Sequence, residues 1–320
     1  MNKYSRRQFL SRASALTLCA GLPAQFSQLL SHKKLAGLPL IIDADTANEV
    51  DDLFAVAIGL LIPELDIKGI TAAQWHTSPQ APADTVGASQ QFNEDIVRLM
   101  SKQGVPCIKG ANHPMVNAHR PQSSPAATFI IEQAMGMPEG EKLHVAILGP
   151  ATNLASAIVI EPAIIPKVVA NYLGFWHHPQ TNTWSKREFN TNNDPNAVNA
   201  LIDTVGLDFR VMTASTSQHL VFDKVDVDQH LKGDAGIGKY LIDRWESFDR
   251  YWQEDDKEKA HWIMWDVAIV MALAYPQMAT ETQAQSPHDN HDRPIQVYTK
   301  VDVEAMKTRF WELFDKFLAG

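Results

Sequence analysis

An apolar run delivers two alternate aspartates, and six residues after the second comes an aspartate pair: Leu40–Ile41–Ile42–Asp43–Ala44–Asp45–Thr46–Ala47–Asn48–Glu49–Val50–Asp51–Asp52. Hard carboxylate oxygens at this density suit a hard cation. Acidic turns at strand ends also serve as helix caps. Five acids bracketed by apolar runs on both sides favour the cation.

The elements that must position these groups are legible from periodicity. Residues 38–43 read as a strand, and 51–62, Asp51–Asp52 followed by an unbroken apolar run, as a buried helix. Leu65–Thr71 is a second strand, and 83–103 a helix with Phe92, Ile96, Val97 and Met100 at three-to-four spacing. Val105–Ile108, Leu143–Leu148 and Lys167–Trp176 read as strands, with helices at Ala126–Met135 and Ala151–Ile160. This alternation predicts an α/β fold: an open, mainly parallel central sheet with helices on both faces and a Rossmann-like core. Ligands of such sheets sit at the carboxyl ends of strands, where the aspartate turn falls. Beyond Glu188 the pattern loosens. Asp194–Pro195 opens a helix over 195–204, Leu207–Met212 is a strand, and 237–252 and 261–274 are helices around a charged, solvated run at 254–259. A turn-rich stretch at 286–294 precedes a strand at Ile295–Thr299 and a closing helix at Val303–Phe317. No repeat or linker divides residues 36–320, which read as one domain.

Charge narrows the partners. The chain has 28 basic and 37 acidic residues, a net charge of −9. Four of the basic residues lie in an acid-free head, without which the charge falls to roughly −13. That balance argues against nucleic acid and suits small sugars, nucleosides or a cation. The head, Ser5–Arg6–Arg7–Gln8–Phe9–Leu10 before the apolar run Ala13–Leu22, resembles a bacterial twin-arginine signal peptide over residues 1–30. The resemblance implies the twin-arginine export machinery as a partner and a periplasmic or secreted protein. Leu18 makes Cys19 a poor lipoprotein site, and Cys107, with no second cysteine to pair with in the mature chain, reads as buried filler.

Four blocks, taken in order, carry a resemblance to the calcium-dependent nucleoside hydrolases, of the inosine/uridine-preferring type. The first is the strand with Asp43, Asp45, Asp51 and Asp52. The second is Leu148–Gly149–Pro150–Ala151–Thr152–Asn153, similar to the family's Gly-x-x-Thr-Asn segment. Asn182 followed by Glu188–Phe189–Asn190 and Asp194–Pro195 is similar to its sugar-binding segment, and Trp265–Asp266 to its late aspartate block. The resemblance covers about residues 38–275 and implies a single nucleoside hydrolase-like domain. It implies Ca²⁺ held by Asp45, Asp52, Asp266 and the Leu148 carbonyl, with Asp45 activating water. It further implies Asp51 and Asn190 on the ribose 2′-hydroxyl, Asp266 on the 3′-hydroxyl, and Asn182 and Glu188 on the 5′-hydroxyl. Asp43 would support the turn, Thr152 and Asn153 would cap a helix, and Trp265 would stack on a purine. The expected reaction is hydrolysis of a nucleoside to free base and ribose, with inversion and no protein nucleophile. A homo-oligomer is compatible with this reading.

The chain departs from the family pattern in two places. Asp45 and Asp51 are six apart where the family has four, which would bring Asn48 and Glu49 into the sugar pocket. After the second strand, Gln74–Trp75–His76 replaces the family's sugar-contacting asparagine, so His76 or Trp75 would occupy that neighbourhood. The histidine that protonates the leaving base in some members is absent beside Asp266. Two other readings follow from the residues: a periplasmic nucleoside- or sugar-binding protein of this fold without turnover, and a haloacid-dehalogenase-like phosphatase. The latter wants Thr or Val where Ala47 stands. His177–His178 could line the pocket, and His288–Asp289–Asn290–His291–Asp292 reads as a hairpin tip rather than a second metal site.

Overall fold

The computed structural model describes residues 37–320 except 234 and 254; the twin-arginine segment lies outside the described residues. Strand β1 (Leu38–Ala44) turns through 45–50 into α1 (Asp51–Leu61), followed by β2 (Leu65–Ala72), α2 (Thr85–Leu99), β3 (Cys107–Lys109), α3 (Pro125–Met135), β4 (Leu143–Ile147), α4 (Thr152–Ile160) and β5 (Val168–Leu173). The hairpin β6 (Trp176–His178) and β7 (Thr183–Ser185) leads to α5 (Phe189–Asn193), α6 (Pro195–Asp203), β8 (Asp208–Met212) and α7 (Ala214–Ser217). Then come β9 (Val221–Asp223), α8 (Lys224–His230), α9 (Gly236–Ser247), β10 (His261–Ile263), α10 (Trp265–Ala274), β11 (Ala279–Gln285), β12 (Pro294–Val301) and α11 (Val303–Leu318).

Eight strands form the central sheet in the order β11-β12-β8-β5-β4-β1-β2-β3, parallel throughout except for the antiparallel edge strand β11. The α/β architecture expected from the alternation is therefore present. Period-two geometry divides β1 between two cores. Leu40, Ile42 and Ala44 face one core with α1, α9, α10 and α11, while Ile41 faces the other with α3, α4 and α6. Helix α1 is buried on all sides apart from its last residue, as its continuous apolar run requires, and packs on α10, which is equally apolar. No described helix is long and apolar enough to cross a membrane.

Three expectations about elements are corrected. The strand expected over 167–176 stops at Leu173, because Phe175 takes φ 63° and turns its N–H away from the ladder to Glu188 Oε2 and Thr191 Oγ1. The helix expected from 261 begins at Trp265; His261–Ile263 pairs antiparallel with Val221–Asp223 instead. Cys107 is half-buried rather than filling the core, and burial pushes its thiol up to about 11. The 286–293 segment is the tip between β11 and β12, with Asn290 and His291 bonded to Asp203 of α6.

Candidate active site

The chain runs from β1 outward to β2 and β3, then returns to place β4 on the other side of β1. A crevice opens at such a reversal, at the carboxyl ends of the strands. Here it holds a cavity of about 300 Å³. Asp45 after β1, Leu148 after β4, Leu173 at the end of β5 and Ala214 after β8 stand on its wall.

Two buried helices start at this cavity. Asp51 and Asp52 occupy the first turn of α1, and Asp266 the first turn of α10. Helix amino termini favour carboxylates there, and the Asp266 N–H donates to Asp51 Oδ2 at 3.2 Å. Asp51, Asp52 and Asp266 each offer an oxygen within 4.8 Å of the other two. Asp45 stands beside this triad on the same wall. All four are at most 3% exposed, and Asp45 Oδ2, Asp52 Oδ1 and Asp266 Oδ1 are buried without a hydrogen-bond partner. Burial raises the Asp51 carboxyl to about 6. Burial, then the neighbouring carboxylates, hold Asp45, Asp52 and Asp266 well above the usual range. Buried, unpartnered, mutually repelling oxygens need positive charge among them. This donor set fits a hard cation. The Leu148 carbonyl is on the wall and accepts from Asn190 Nδ2, which leaves it a second lone pair.

Asp43 lies behind the wall, where it ties three strands together. One of its oxygens accepts from Thr71 Oγ1 of β2 at 2.6 Å and from Asn153 Nδ2 at 2.8 Å, and its carbonyl takes the Leu148 N–H. The capping role expected of Thr152 and Asn153 is corrected. Helix α4 has no side-chain cap; Asn153 reaches Asp43, the Ala72 carbonyl and the Ala111 N–H, and Thr152 Oγ1 donates to Asp194 Oδ2 at 2.7 Å. Asp194 itself caps α6 through the Ala197 N–H, with Pro195 at the first helical position.

The enlarged turn is anchored from outside the sheet. Asn48 N–H closes on the Asp45 carbonyl at 2.7 Å, and Arg244 Nη2 of α9 donates to the Ala47 carbonyl at 2.6 Å. Glu49 accepts from Trp262 Nε1 at 3.0 Å, and the Trp262 ring carries the Arg250 guanidinium at 4.6 Å. Asn48 and Glu49 stand on the cavity wall. Burial, then Asp51 nearby, raises the Glu49 carboxyl well above its ordinary value.

On the opposite side the structure brings Glu188, Asn190 and Trp265 to the wall, but not Asn182 or His76. Asn182 sits at the exposed β6–β7 turn, with φ 48°, bonded to His177, Trp184 and the Gln285 carbonyl. His76 stacks on His113 at 5.0 Å and bonds the Asn112 carbonyl. No histidine lines the cavity among the described residues; His177 is turned onto Trp184, 3.9 Å between rings. Four aromatic or charged wall residues escaped the sequence reading. Trp176 meets Trp265 edge-on at 5.9 Å, Tyr251 and Trp252 stand at the mouth 40% and 45% exposed, and Arg187 adds a cation. Trp176 and Trp252 close predicted elements, which was their one available signal.

The fold and site define an α/β protein with an open, mainly parallel sheet and an acidic crevice beside an aromatic wall. Residues 40–308 match the family model of the inosine-uridine preferring nucleoside hydrolases, and the chain belongs to that family. Its fold is similar to that of a plant nucleoside hydrolase, PpNRh1 (TM-score 0.64, 18% identity, 88% of this chain and 98% of that one). It is also similar to a purine-preferring ribonucleoside hydrolase from Gardnerella vaginalis (0.65, 20%, 87% and 98%) and to the type III effector XopQ, solved with adenosine diphosphate ribose (0.66, 15%, 93% and 100%). Among curated protein sequences none matches this chain.

Proposed function

We propose that this protein is an exported, Ca²⁺-dependent hydrolase that cleaves the N-glycosidic bond of purine ribonucleosides. The observation that carries the reading is the convergence of buried, unpartnered aspartate oxygens with an aromatic wall in one cavity. Asp45, Asp52, Asp266 and the Leu148 carbonyl would hold the ion, with Asp51 completing the acidic cluster. When bound, Ca²⁺ would supply the charge that keeps these carboxylates ionised and makes a nearby water more acidic.

The chain's own residues account for the remaining chemistry. Asp45 Oδ2 faces no protein donor and receives a proton from the attacking water. Asp51 and Asp266 take ribose hydroxyls, and the amide oxygen of Asn190 is left for the 2′-hydroxyl because its nitrogen donates to the Leu148 and Leu173 carbonyls. As the bond from C1′ to the base breaks, positive charge grows on the sugar ring, and fixed carboxylates stabilise that charge more than they stabilise the substrate. Trp265, held edge-on by Trp176, offers its face to a purine. Ser5–Arg6–Arg7–Gln8–Phe9–Leu10 supports twin-arginine export to the periplasm.

The test is base and reducing-sugar release from a nucleoside panel with Ca²⁺, with chelator, and with Asp45→Asn. The hydrolase reading expects release that chelator abolishes and Asp45→Asn lowers about 10³-fold. The lack of a wall histidine among the described residues favours a second reading, a periplasmic binding protein without turnover. Tight nucleoside binding without base release would establish that reading instead.

A further inference from the structure

Among the described residues, the charged side chains on the cavity wall are the acidic Asp45, Glu49, Asp51, Asp52, Glu188 and Asp266 and, as the single base, Arg187. Arg187 pairs with none of them. Its guanidinium has no hydrogen-bond or ion-pair partner among the described residues, while its backbone N–H is fixed to Ser185 Oγ at 3.2 Å. Both of its neighbours are pinned. Lys186 Nζ donates to Asn199 Oδ1 at 2.7 Å and to Asp289 Oδ2 and Asn290 Oδ1 at 2.8 Å. The Glu188 carboxylate faces inward, accepting from Asn190 N–H at 2.9 Å, Thr191 N–H at 3.0 Å and Thr191 Oγ1 at 2.9 Å. Asn182, the other residue expected at the 5′-hydroxyl, is committed to the hairpin turn. Asn182 is therefore unavailable to a neutral 5′-hydroxyl, and Glu188 reaches the cavity with both oxygens already accepting from its own helix turn. Arg187, the neighbour of Glu188 along the chain, stands exposed on the wall with its backbone anchored and its guanidinium free of protein partners among the described residues.

We propose that the cavity takes ribosides phosphorylated at the 5′ position, with Arg187 as the specificity-determining residue that pairs with the phosphate. The inference rests on the riboside reading of the cavity and deepens it. A guanidinium presents a planar fork of donors that matches phosphate oxygens two at a time, which a 5′-hydroxyl cannot use. Exposure at the rim leaves the phosphate partly hydrated, so the anion is not buried beside Glu188. In the reaction a bond forms from the water oxygen to C1′ as the C1′–N9 bond breaks. The bond's electron pair leaves with the purine, which takes one proton from solvent, while Asp45 takes one proton from the water and returns it to solvent, so the proton count closes. Inosine 5′-monophosphate would give hypoxanthine and ribose 5-phosphate.

The full chain, loaded with Ca²⁺, is titrated calorimetrically with inosine and with inosine 5′-monophosphate, and base release is followed in parallel. The expected result is monophosphate binding about tenfold tighter than inosine, as one charge-assisted pair in contact with water supplies. In Arg187→Gln that ratio falls about tenfold, and Arg187→Lys recovers part of it. A thermal melt of each variant shows whether the fold is kept. A monophosphate that binds no better than inosine, or a ratio that Arg187→Gln does not move, overturns the inference and leaves nucleoside hydrolysis standing. Tighter monophosphate binding without base release keeps the inference and removes the hydrolase reading. Binding of neither ligand overturns both.

Discussion

Asp45 is held in place by the residue across from it. A Cβ at Gly149 would lie 2.7 Å from Asp45 Oδ1, so only glycine lets this carboxylate lie against the β4 turn. Gly149→Ala is expected to displace Asp45, lowering base release by at least about tenfold and stability by about 1–3 kcal/mol, read by kinetics and denaturant melts. Glu49 is oriented in turn by the Trp262 N–H. Trp262→Phe keeps an aromatic ring beneath Arg250 but removes that donor. Riboside affinity should fall several-fold, with a stability loss of about 1 kcal/mol; titration calorimetry and thermal melts measure the two effects. These pairs lie 104 and 213 positions apart along the chain. Neither residue could be paired with its partner from spacing alone.

At the scale of elements, α1 and α10 bring their first-turn aspartates to one point because each is apolar all round and must be buried against the other. That much is readable: Asp51–Asp52 and Trp265–Asp266 both stand at the head of continuous apolar runs. The turn between β1 and α1 is different. Its shape depends on Arg244 from α9, whose guanidinium reaches the Ala47 carbonyl and lies over Phe92 and Phe248. Arg244→Met should keep the packing, free the turn, and weaken riboside binding more than cation binding. Parallel titrations with Ca²⁺ and with a nucleoside would separate the two. Strand β11 left no pattern because its residues are mostly exposed and polar at an edge. Period-two alternation arises only where one face is buried. The hairpin β6–β7 was hidden for a related reason: Phe175 in the left-handed region breaks a run that otherwise reads as one strand.

For the whole molecule, the massed carboxylates couple stability to pH and to a cation. Burial raises Asp43 and Asp51 to about 6 in the folded chain, while in the unfolded chain they ionise near their ordinary value. Below that value both states are protonated, and the shift is without effect. As pH rises toward and through 6, the unfolded chain gives up these protons first, so stability falls with rising pH. The chelated protein should therefore melt on the order of 10 °C lower at pH 7.5 than at pH 4.5, from these groups alone. Added Ca²⁺ should recover most of that loss at pH 7.5 and little of it at pH 4.5, where protons already neutralise the cluster. Differential scanning calorimetry at the two pH values, with Ca²⁺ and with chelator, measures it. Equal recovery at both would mean that the ion binds outside the aspartate cluster.

The sequence by itself determined the alternating α/β plan, the aspartates at the carboxyl end of the first strand, and the ordered blocks that carry the family likeness. Each of these is local: periodicity, residue type and short spacing all act within a few residues. Only the tertiary structure decided which of the expected sugar contacts face the cavity. Asn182 and His76 are drawn away by the Gln285 and Asn112 carbonyls, while Arg187, Trp176 and Tyr251 are brought in. A side chain's direction is set by whichever partner satisfies it at least cost, and here those partners come from distant strands and turns. The aspartates escape that competition. They sit where two buried helices and the central strands must meet.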